Sequence, residues 1–482
     1  MRNENKYALV VVGSSFAATF FLLNYLKKAP ANAKVLVLER GYHFPHMERV
    51  KERRGEATAF ANPNPDYHQT QDTIVNMTPE KRWLYTLGFG GSSNCWFGCT
   101  PRFMPNDFRM KTMYGVGEDW PVQYDELEPY YAEVEEHMAI SGPAETPFPK
   151  TKPYPQPPHL FTDVDRLMKK QYGSLYINQP TARSRVAGNG RNMCCASSVC
   201  SICPVNAKYT IENGSMAVFE DPRVEMLYGA QVYSLELDAD SVRYVNFVKD
   251  GKETKVAGEV VALGANSIFN AHILLNAGDG NPMTGSGLGE QIGLDARVFL
   301  KDLQHVGGST WVNANGYMLY DGAHRKEYAA CLMESSNHPY MRVEKGKWRD
   351  IVTFRMIFED LPSKESYVTL SDDRMKPKVH YNGPTEYALK GIETMKQKLP
   401  ELLACLPVEK ITYEAPHNTE AHILGTTRMS TNAAGGVVDR HLIHHQYRNL
   451  FVLGSGVFTT FTPSNPTLTL SALSLFAADK SF

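Results

Sequence analysis

Cysteine is sparse in this sequence, 8 of 482 residues, which excludes the small disulfide-stapled scaffolds of secreted domains. An excess of either charge is also missing: 50 basic and 52 acidic side chains leave a formal charge of −2. Without a basic stripe there is no electrostatic footprint for nucleic acid. Long hydrophobic runs are absent too, since no stretch reaches the roughly 18 apolar residues of a membrane-spanning helix. A soluble chain without a transmembrane segment is expected. What is there, 43% hydrophobic and 21% charged residues, is ordinary globular composition with length for two or three domains, and it points to small-molecule chemistry.

The start MRNENKYALVVVGSSFAATFFLLNYLKKAPA has the charged head, apolar stretch and Ala29-Pro30-Ala31 ending of a cleavable leader. The same residues spell a nucleotide-binding unit that cleavage would destroy, and that reading is preferred. Tyr7 to Val12 reads as a buried strand, Gly13-Ser14-Ser15 as a tight turn and Phe16 to Lys28 as a helix; Lys34 to Leu38 is a second strand ending at Glu39 and Arg40. The loop G-S-S-F-A-A keeps only the first glycine of G-x-G-x-x-G, with Ser15 and Ala18 at the other two places. Small residues there still let the backbone approach a pyrophosphate at the helix N-terminus, and Glu39 is placed to hold ribose hydroxyls. Taken alone, the loop is equally the turn of an ordinary βαβ unit.

Further along, Pro143 to Pro158 (PAETPFPKTKPYPQPP) is expected to be an extended surface connector. Strand-like runs recur at Ala230 to Leu237, Tyr244 to Val248 and Glu259 to Leu263, the last leading into GANS and a helix over Ile268 to Asn276. Gly308 to Tyr320 and Ile351 to Phe358 have strand character, and Pro384 to Leu399 helix character. The tail reads as strand (Leu450 to Leu453), loop (GSGVFTTFTPSNP) and helix (Thr467 to Ala478), so the chain leaves the nucleotide fold and returns to it.

Four of the scarce cysteines crowd into CCASSVCSICP: Cys194, Cys195, Cys200 and Cys203, in the pattern C-C-x4-C-x2-C-P. Four soft ligands in one loop suit an iron–sulfur cluster or zinc, and adjacent cysteines are a poor disulfide pair. Zinc usually takes two spaced pairs, whereas the closing C-P resembles the end of a ferredoxin run. A loop of free thiols is the remaining reading. Arg183, Arg185 and Arg191 upstream would offset a cluster's negative charge, or form a solvated basic stretch. Oxidising an alcohol needs a hydride acceptor, a base for the hydroxyl proton and a donor to the oxygen; His422 and Asn465 supply the last two. His417, His441, His444 and His445 lack comparable context and are expected at the surface.

Several separated stretches agree on a family. They are the N-terminal loop, FGGSSNCWFGCTPRF (Phe89 to Phe103), DWPVQYDELEPYY (Asp119 to Tyr131), VALGANSIFNAHILLNAG from Val261, HILGTTRM from His422 and TPSNPTLTLSALSLFAAD from Thr462. Together, end to end, they resemble the glucose-methanol-choline (GMC) oxidoreductases. The form is closest to the sugar-oxidising branch: pyranose oxidase and the bacterial FAD-dependent glucose, fructose and gluconate dehydrogenases.

The resemblance implies an α/β chain of the p-hydroxybenzoate-hydroxylase-like arrangement. A discontinuous Rossmann-like FAD-binding domain (1–110, 205–295 and 425–482) is joined by a connector and cysteine segment (111–204) to a substrate domain on an antiparallel sheet (296–424). It assigns FAD contacts to Gly13, Ser14, Ser15, Ala18, Glu39, Arg40, Gly90, Gly91, Ser92, Asn94, Cys95, Val232, Gly264, Gly454, Pro466 and Thr467. His422 becomes the base and Asn465 its partner at the flavin. Cys95 falls where pyranose oxidase bonds a histidine to the flavin 8α-methyl, which leaves a cysteinyl-FAD and a packed cysteine beside noncovalent FAD as alternatives. For the cysteine loop the resemblance favours [3Fe–4S] over [4Fe–4S], with the spare cysteine open. A cluster beside a flavin makes a dehydrogenase a better expectation than an oxidase. It would oxidise a sugar, glycoside or related alcohol by hydride transfer to flavin N5 and pass electrons to a cytochrome or small partner subunit. The alternatives are an oxygen-dependent oxidase with a structural metal loop, and an inactive flavin- or metal-binding scaffold subunit. No targeting segment is visible, so the expected location is cytoplasmic, or exported with a signal-bearing partner subunit.

Overall fold

The computed structural model describes residues 6–65, 70–308, 311–337 and 340–482; the first five residues of the leader-like start lie outside them. The strand Lys6–Val12 is buried on both faces at Leu9, Val10 and Val11, as a parallel strand covered by helices must be. It pairs in parallel with Val35–Leu38 and with the second half of the long strand Lys252–Leu263. Val224–Leu227 continues one edge, and Leu450–Val452 adds to the same half of Lys252–Leu263 from the other side. The first half of that strand carries an antiparallel meander, Gln231–Leu237 and Val242–Lys249. The chain therefore returns to its first sheet at residue 450, as the tail motif indicates.

The helices Phe16–Lys28 and Thr467–Ser481 lie side by side in the same direction. Asn24 Nδ2 donates to Leu475 O at 3.1 Å, and one turn on Lys28 pairs with Asp479 at 3.0 Å. Their first turns, at Phe16 and Thr467, thus share one end of the fold. Helix Tyr124–His137 packs beside them, with Tyr131 Oη hydrogen-bonded to Thr469 Oγ1 at 2.8 Å.

A second sheet is antiparallel throughout, in the order Val408–Tyr413, Ile292–Leu300, Ile351–Phe358, Cys331–Ser336, Val312–Leu319, Tyr176–Asn178. Its side chains alternate with period two. Leu294, Ala296, Val298, Val352, Phe354 and Met356 form one apolar face against the helices Asp163–Tyr172 and Glu386–Leu402. The opposite face carries Asp295, Arg355, Glu334 and Asn315 in register across four strands. A small third sheet joins Val75–Asn76, Tyr367–Leu370 and Pro377–His380. The strand expected over Gly308 to Tyr320 is Val312–Leu319, with residues 309 and 310 outside the described ones. The proline-rich stretch runs without helix or strand and largely exposed, as a surface connector would, while Phe148 and Tyr154 anchor it in the interior. His444 is likewise buried, against Asp279 at 3.3 Å. Among the described residues no helix is long and apolar enough to cross a membrane.

Arg102, at the end of the second motif, is fully buried and grips helix Tyr124–His137: Nε and Nη2 bond Glu135 at 2.7 and 2.9 Å, and Nη1 bonds Glu128 at 2.9 Å. Replacing it by methionine takes the guanidinium from Glu128 and leaves Glu135 to Lys150. A loss of about 3–5 kcal/mol is expected in urea unfolding. Lys111→Ala, which breaks the exposed pair with Glu118, should leave the transition in place.

Candidate active site

The dinucleotide loop is held by one hydroxyl. Ser14 Oγ donates to Glu39 Oε2 at 2.6 Å and accepts the Gly90 N–H at 3.1 Å, while Glu39 Oε1 accepts the Gly41 N–H at 2.9 Å. Three segments are thereby fixed to one another. Gly13 has φ +92°, and a Cβ there would meet Gly264 O at 2.6 Å, so both conformation and space demand glycine. Gly264 in turn packs on Ala18, whose Cβ would lie 3.1 Å from a Cβ at 264. Gly91 closes onto Ser15, and Gly454 sits against Ala17. Ser15 leaves the start of its helix uncapped by any side chain, and Pro466 stands before Thr467 at the neighbouring helix start. Two helix N-termini at one end of the fold favour an anionic group there.

Asn94 Nδ2 donates to Phe89 O and Gly91 O, both at 2.9 Å, and Ser92 Oγ accepts the Thr86 N–H at 3.3 Å. Cys95 Sγ is hydrogen-bonded to Thr86 Oγ1 at 2.8 Å. Beyond Glu39, a cavity of about 230 Å³ is lined by Arg40, Gly41, Tyr42, Gly229 and Gln231. Arg40 stacks over Phe269 and keeps a buried Nη1 without a partner. Val232 lies on the next strand, partly buried. These features fit the nucleotide half of a dinucleotide.

His422 is fixed by a residue that no motif flagged. Its Nδ1 lies 2.6 Å from Gln291 Oε1, and Gln291 Nε2 donates to Thr462 O and, at 2.8 Å, to Ser464 O. With its amino group committed to two carbonyls, Gln291 presents only oxygen to the imidazole. Nδ1 must carry the proton, and Nε2 keeps the lone pair. Burial first, then the Arg355 charge, pull the imidazolium down to about 3, so the ring stays neutral. Arg355 is itself bonded to Glu420, at 2.9 Å from both Nε and Nη2. Asn465, next to Ser464, is buried with Oδ1 unpartnered. Gln291 thus ties His422 to the segment that carries Asn465.

In the cysteine loop, Cys200 and Cys203 are buried, Cys194 is half-buried and Cys195 is exposed. Cys200 Sγ accepts from Arg183 Nη1 at 3.0 Å and from the Trp311 N–H at 3.3 Å; Cys203 Sγ accepts the Ala207 N–H at 3.2 Å. Among the described residues no three of these sulfurs lie within 4.8 Å of one another, wider than a single tetrahedral zinc with Zn–S bonds of about 2.3 Å would hold them. Arg183, Arg191 and Lys208 are buried around the loop, none within ion-pair distance of a carboxylate among the described residues, whereas Arg185 is half-exposed. Lys208 Nζ donates to Ser201 O at 2.8 Å, Trp96 O at 2.7 Å and Asn94 O at 3.2 Å, tying this loop to the one that carries Gly90 to Cys95.

A family model described as GMC oxidoreductase matches residues 362–474. The chain is 28% identical to the fructose dehydrogenase large subunit of Gluconobacter japonicus, over 86% of this chain and 85% of that one. It is 25% identical to 2-methyl-1,2-propanediol dehydrogenase of Mycolicibacterium austroafricanum, over 94% and 92%. Its fold matches that of pyridoxine 4-oxidase from Mesorbium loti with a TM-score of 0.63 at 14% identity, over 99% of both chains. The parallel sheet with its dinucleotide loop, the antiparallel sheet beside it and these relatives agree with the family that residues 362–474 match, the GMC oxidoreductases, FAD-dependent oxidoreductases acting on CH–OH donors.

Proposed function

We propose that the chain is a dehydrogenase that oxidises a hydroxyl of a sugar or related alcohol, with electrons leaving through a cysteine-held iron–sulfur cluster to a cytochrome or small partner subunit. The observation that carries the catalytic part is the His422–Gln291 bond. It leaves Nε2 as the atom that accepts the hydroxyl proton while the C–H hydride departs. Asn465, through its side-chain amide N–H, is the group left to donate to the substrate oxygen. Ser14, Glu39 and the two helix starts would hold FAD, which supplies the hydride acceptor when bound. The hydrogen bond between Cys95 and Thr86 supports a noncovalent flavin. Both relatives at 25% identity or more are dehydrogenases by name, which supports a dehydrogenase over an oxidase.

For the loop, the support is electrostatic. Buried cations without an ion-paired carboxylate favour a nearby counter-charge, and an anionic cysteine loop would supply one to Arg183, Arg191 and Lys208. Zinc with three thiolates carries a single net negative charge, an iron–sulfur cluster with its thiolates more than one. Cys194, Cys200 and Cys203 would be its ligands and exposed Cys195 the spare, which favours [3Fe–4S]; when present, the cluster supplies a one-electron exit.

His422→Ala should retain FAD while substrate bleaches it roughly 10²–10⁴ times more slowly. In the wild type the limiting anaerobic bleaching rate, at saturating donor, should be flat from about pH 5 to 9, because His422 is already neutral there; an inflection near the ordinary histidine value would place the base elsewhere. The purified protein should also contain about three irons with matching acid-labile sulfide. Cys200→Ser should lose them and slow turnover with cytochrome c while flavin bleaching persists, and Cys195→Ser should keep them. Zinc without iron would mark the loop as structural.

A further inference from the structure

We infer that the row Asp295, Arg355, Glu334 and Asn315 is the specificity surface for a neutral substrate with several hydroxyl groups, holding hydroxyls away from the carbon that is oxidised. The inference rests on the reading of His422 as the base and adds the chemical class of the donor.

The four residues stand directly opposite one another on neighbouring antiparallel strands: Asp295 faces Arg355, Arg355 faces Glu334, and Glu334 faces Asn315. Neighbouring side chains in such a row are ~5 Å apart, so the row is long enough for a molecule of several carbons. One end lies against the His422 segment. Gly293, on the same face, leaves room only because it has no side chain, since a Cβ there would strike Glu420 Oε1 at 1.8 Å. Arg355 grips that same Glu420, two residues before His422. Past the end of the Asn315 strand, five residues on, Tyr320 donates to Ser464 Oγ at 3.0 Å, next to Asn465. The sheet that carries the row is thus tied to the segments of both the proposed base and its partner.

Its polar atoms are largely unused. Asn315 is fully buried, and neither Oδ1 nor Nδ2 has a hydrogen-bond partner. Glu334, 3% exposed, has no partner at Oε1, and Asp295 none at Oδ1. Gln179, on the adjoining edge strand's extension beside Asn313, is buried with both amide atoms unpartnered. Buried polar groups are nearly always hydrogen-bonded, and several orphans on one face mark where a ligand completes the set. An amide that accepts through oxygen and donates through nitrogen matches two neighbouring hydroxyls. Burial and the nearby Glu420 charge push the Glu334 carboxyl up to about 8, so near neutrality it too offers a donor and an acceptor.

Charge selects against acids. Arg355 has Nε and Nη2 on Glu420 and Nη1 towards Asp295 at 3.5 Å, so its guanidinium is already compensated and offers no counter-ion for a substrate carboxylate. A monohydric alcohol would reach His422 and leave the row unsatisfied.

The test uses the FAD-loaded protein, with anaerobic flavin bleaching followed against three kinds of donor: the neutral polyols D-fructose, D-sorbitol and glycerol; the acid D-gluconate; and the monohydric 2-propanol. One of the polyols should give the highest rate per concentration. In Asn315→Leu and in the near-isosteric Glu334→Gln, its apparent dissociation constant should rise roughly tenfold or more while the limiting bleaching rate changes by less than about threefold. The preference for that polyol over 2-propanol should fall by a similar factor. FAD content checks that each variant folds, and Glu334→Gln carries the test if the leucine variant does not. Preference for gluconate or 2-propanol in the wild type, or equal losses with every donor in the variants, would overturn the inference. Absence of bleaching by any donor would instead remove the reading of His422 on which it stands.

Discussion

Two backbone carbonyls, Thr462 O and Ser464 O, occupy the amino group of Gln291, and the arrangement of the reacting centre depends on that occupation. An amide whose nitrogen is spent can offer only oxygen, the oxygen can accept only from Nδ1 of His422, and the tautomer is thereby set without any charged partner. A carboxylate in the place of Gln291 would have favoured the imidazolium; the neutral amide, burial and Arg355 all act the other way. The same side chain fixes position, since it stands immediately before strand Ile292–Leu300 and reaches across to the loop that carries Asn465. The antiparallel sheet, the proposed base and the C-terminal motif meet through one uncharged group.

Sequence legibility followed the range of the interactions. The first strand, the helix Phe16–Lys28 and the strand Ile351–Phe358 are local patterns of burial, and their bounds are readable to within a residue. His422 and Asn465 are singled out in the sequence because motifs flank them. Gln291 has no such frame, and its role exists only through partners more than 130 residues away. The strand Cys331–Ser336 escapes pattern reading because Glu334, a buried carboxyl, interrupts the apolar set that would announce it. His444 looks like a surface residue until Asp279, far off in sequence, is folded against it. Phe148 and Tyr154 show the converse, aromatic anchors hidden inside a proline-rich stretch whose composition suggests solvent.

The cysteine loop shows how little spacing alone decides. Cys194 and Cys195 are neighbours in sequence, yet one is half-buried and the other exposed, so four thiols in a row need not mean four ligands. What the spacing does not contain is the surrounding charge. Arg183 and Arg191 look like members of a basic stretch, but both are drawn inside, and Lys208 joins them from the far side of the loop. Lys208 also spends all three of its protons on carbonyls of two different loops, so the thiols and the glycine-rich turn are parts of one rigid body.

The pairing of the helices Phe16–Lys28 and Thr467–Ser481 has a consequence for biosynthesis. The first helix emerges from the ribosome early, but the surface it must cover is supplied by a strand and a helix that follow more than 400 residues later. Until then that side of the helix lacks its native cover, a state of high contact order that folds slowly and is exposed to aggregation. Holdase chaperones would find a binding surface in these early-emerging apolar segments, and the two helix starts stand together only once Thr467–Ser481 has been made.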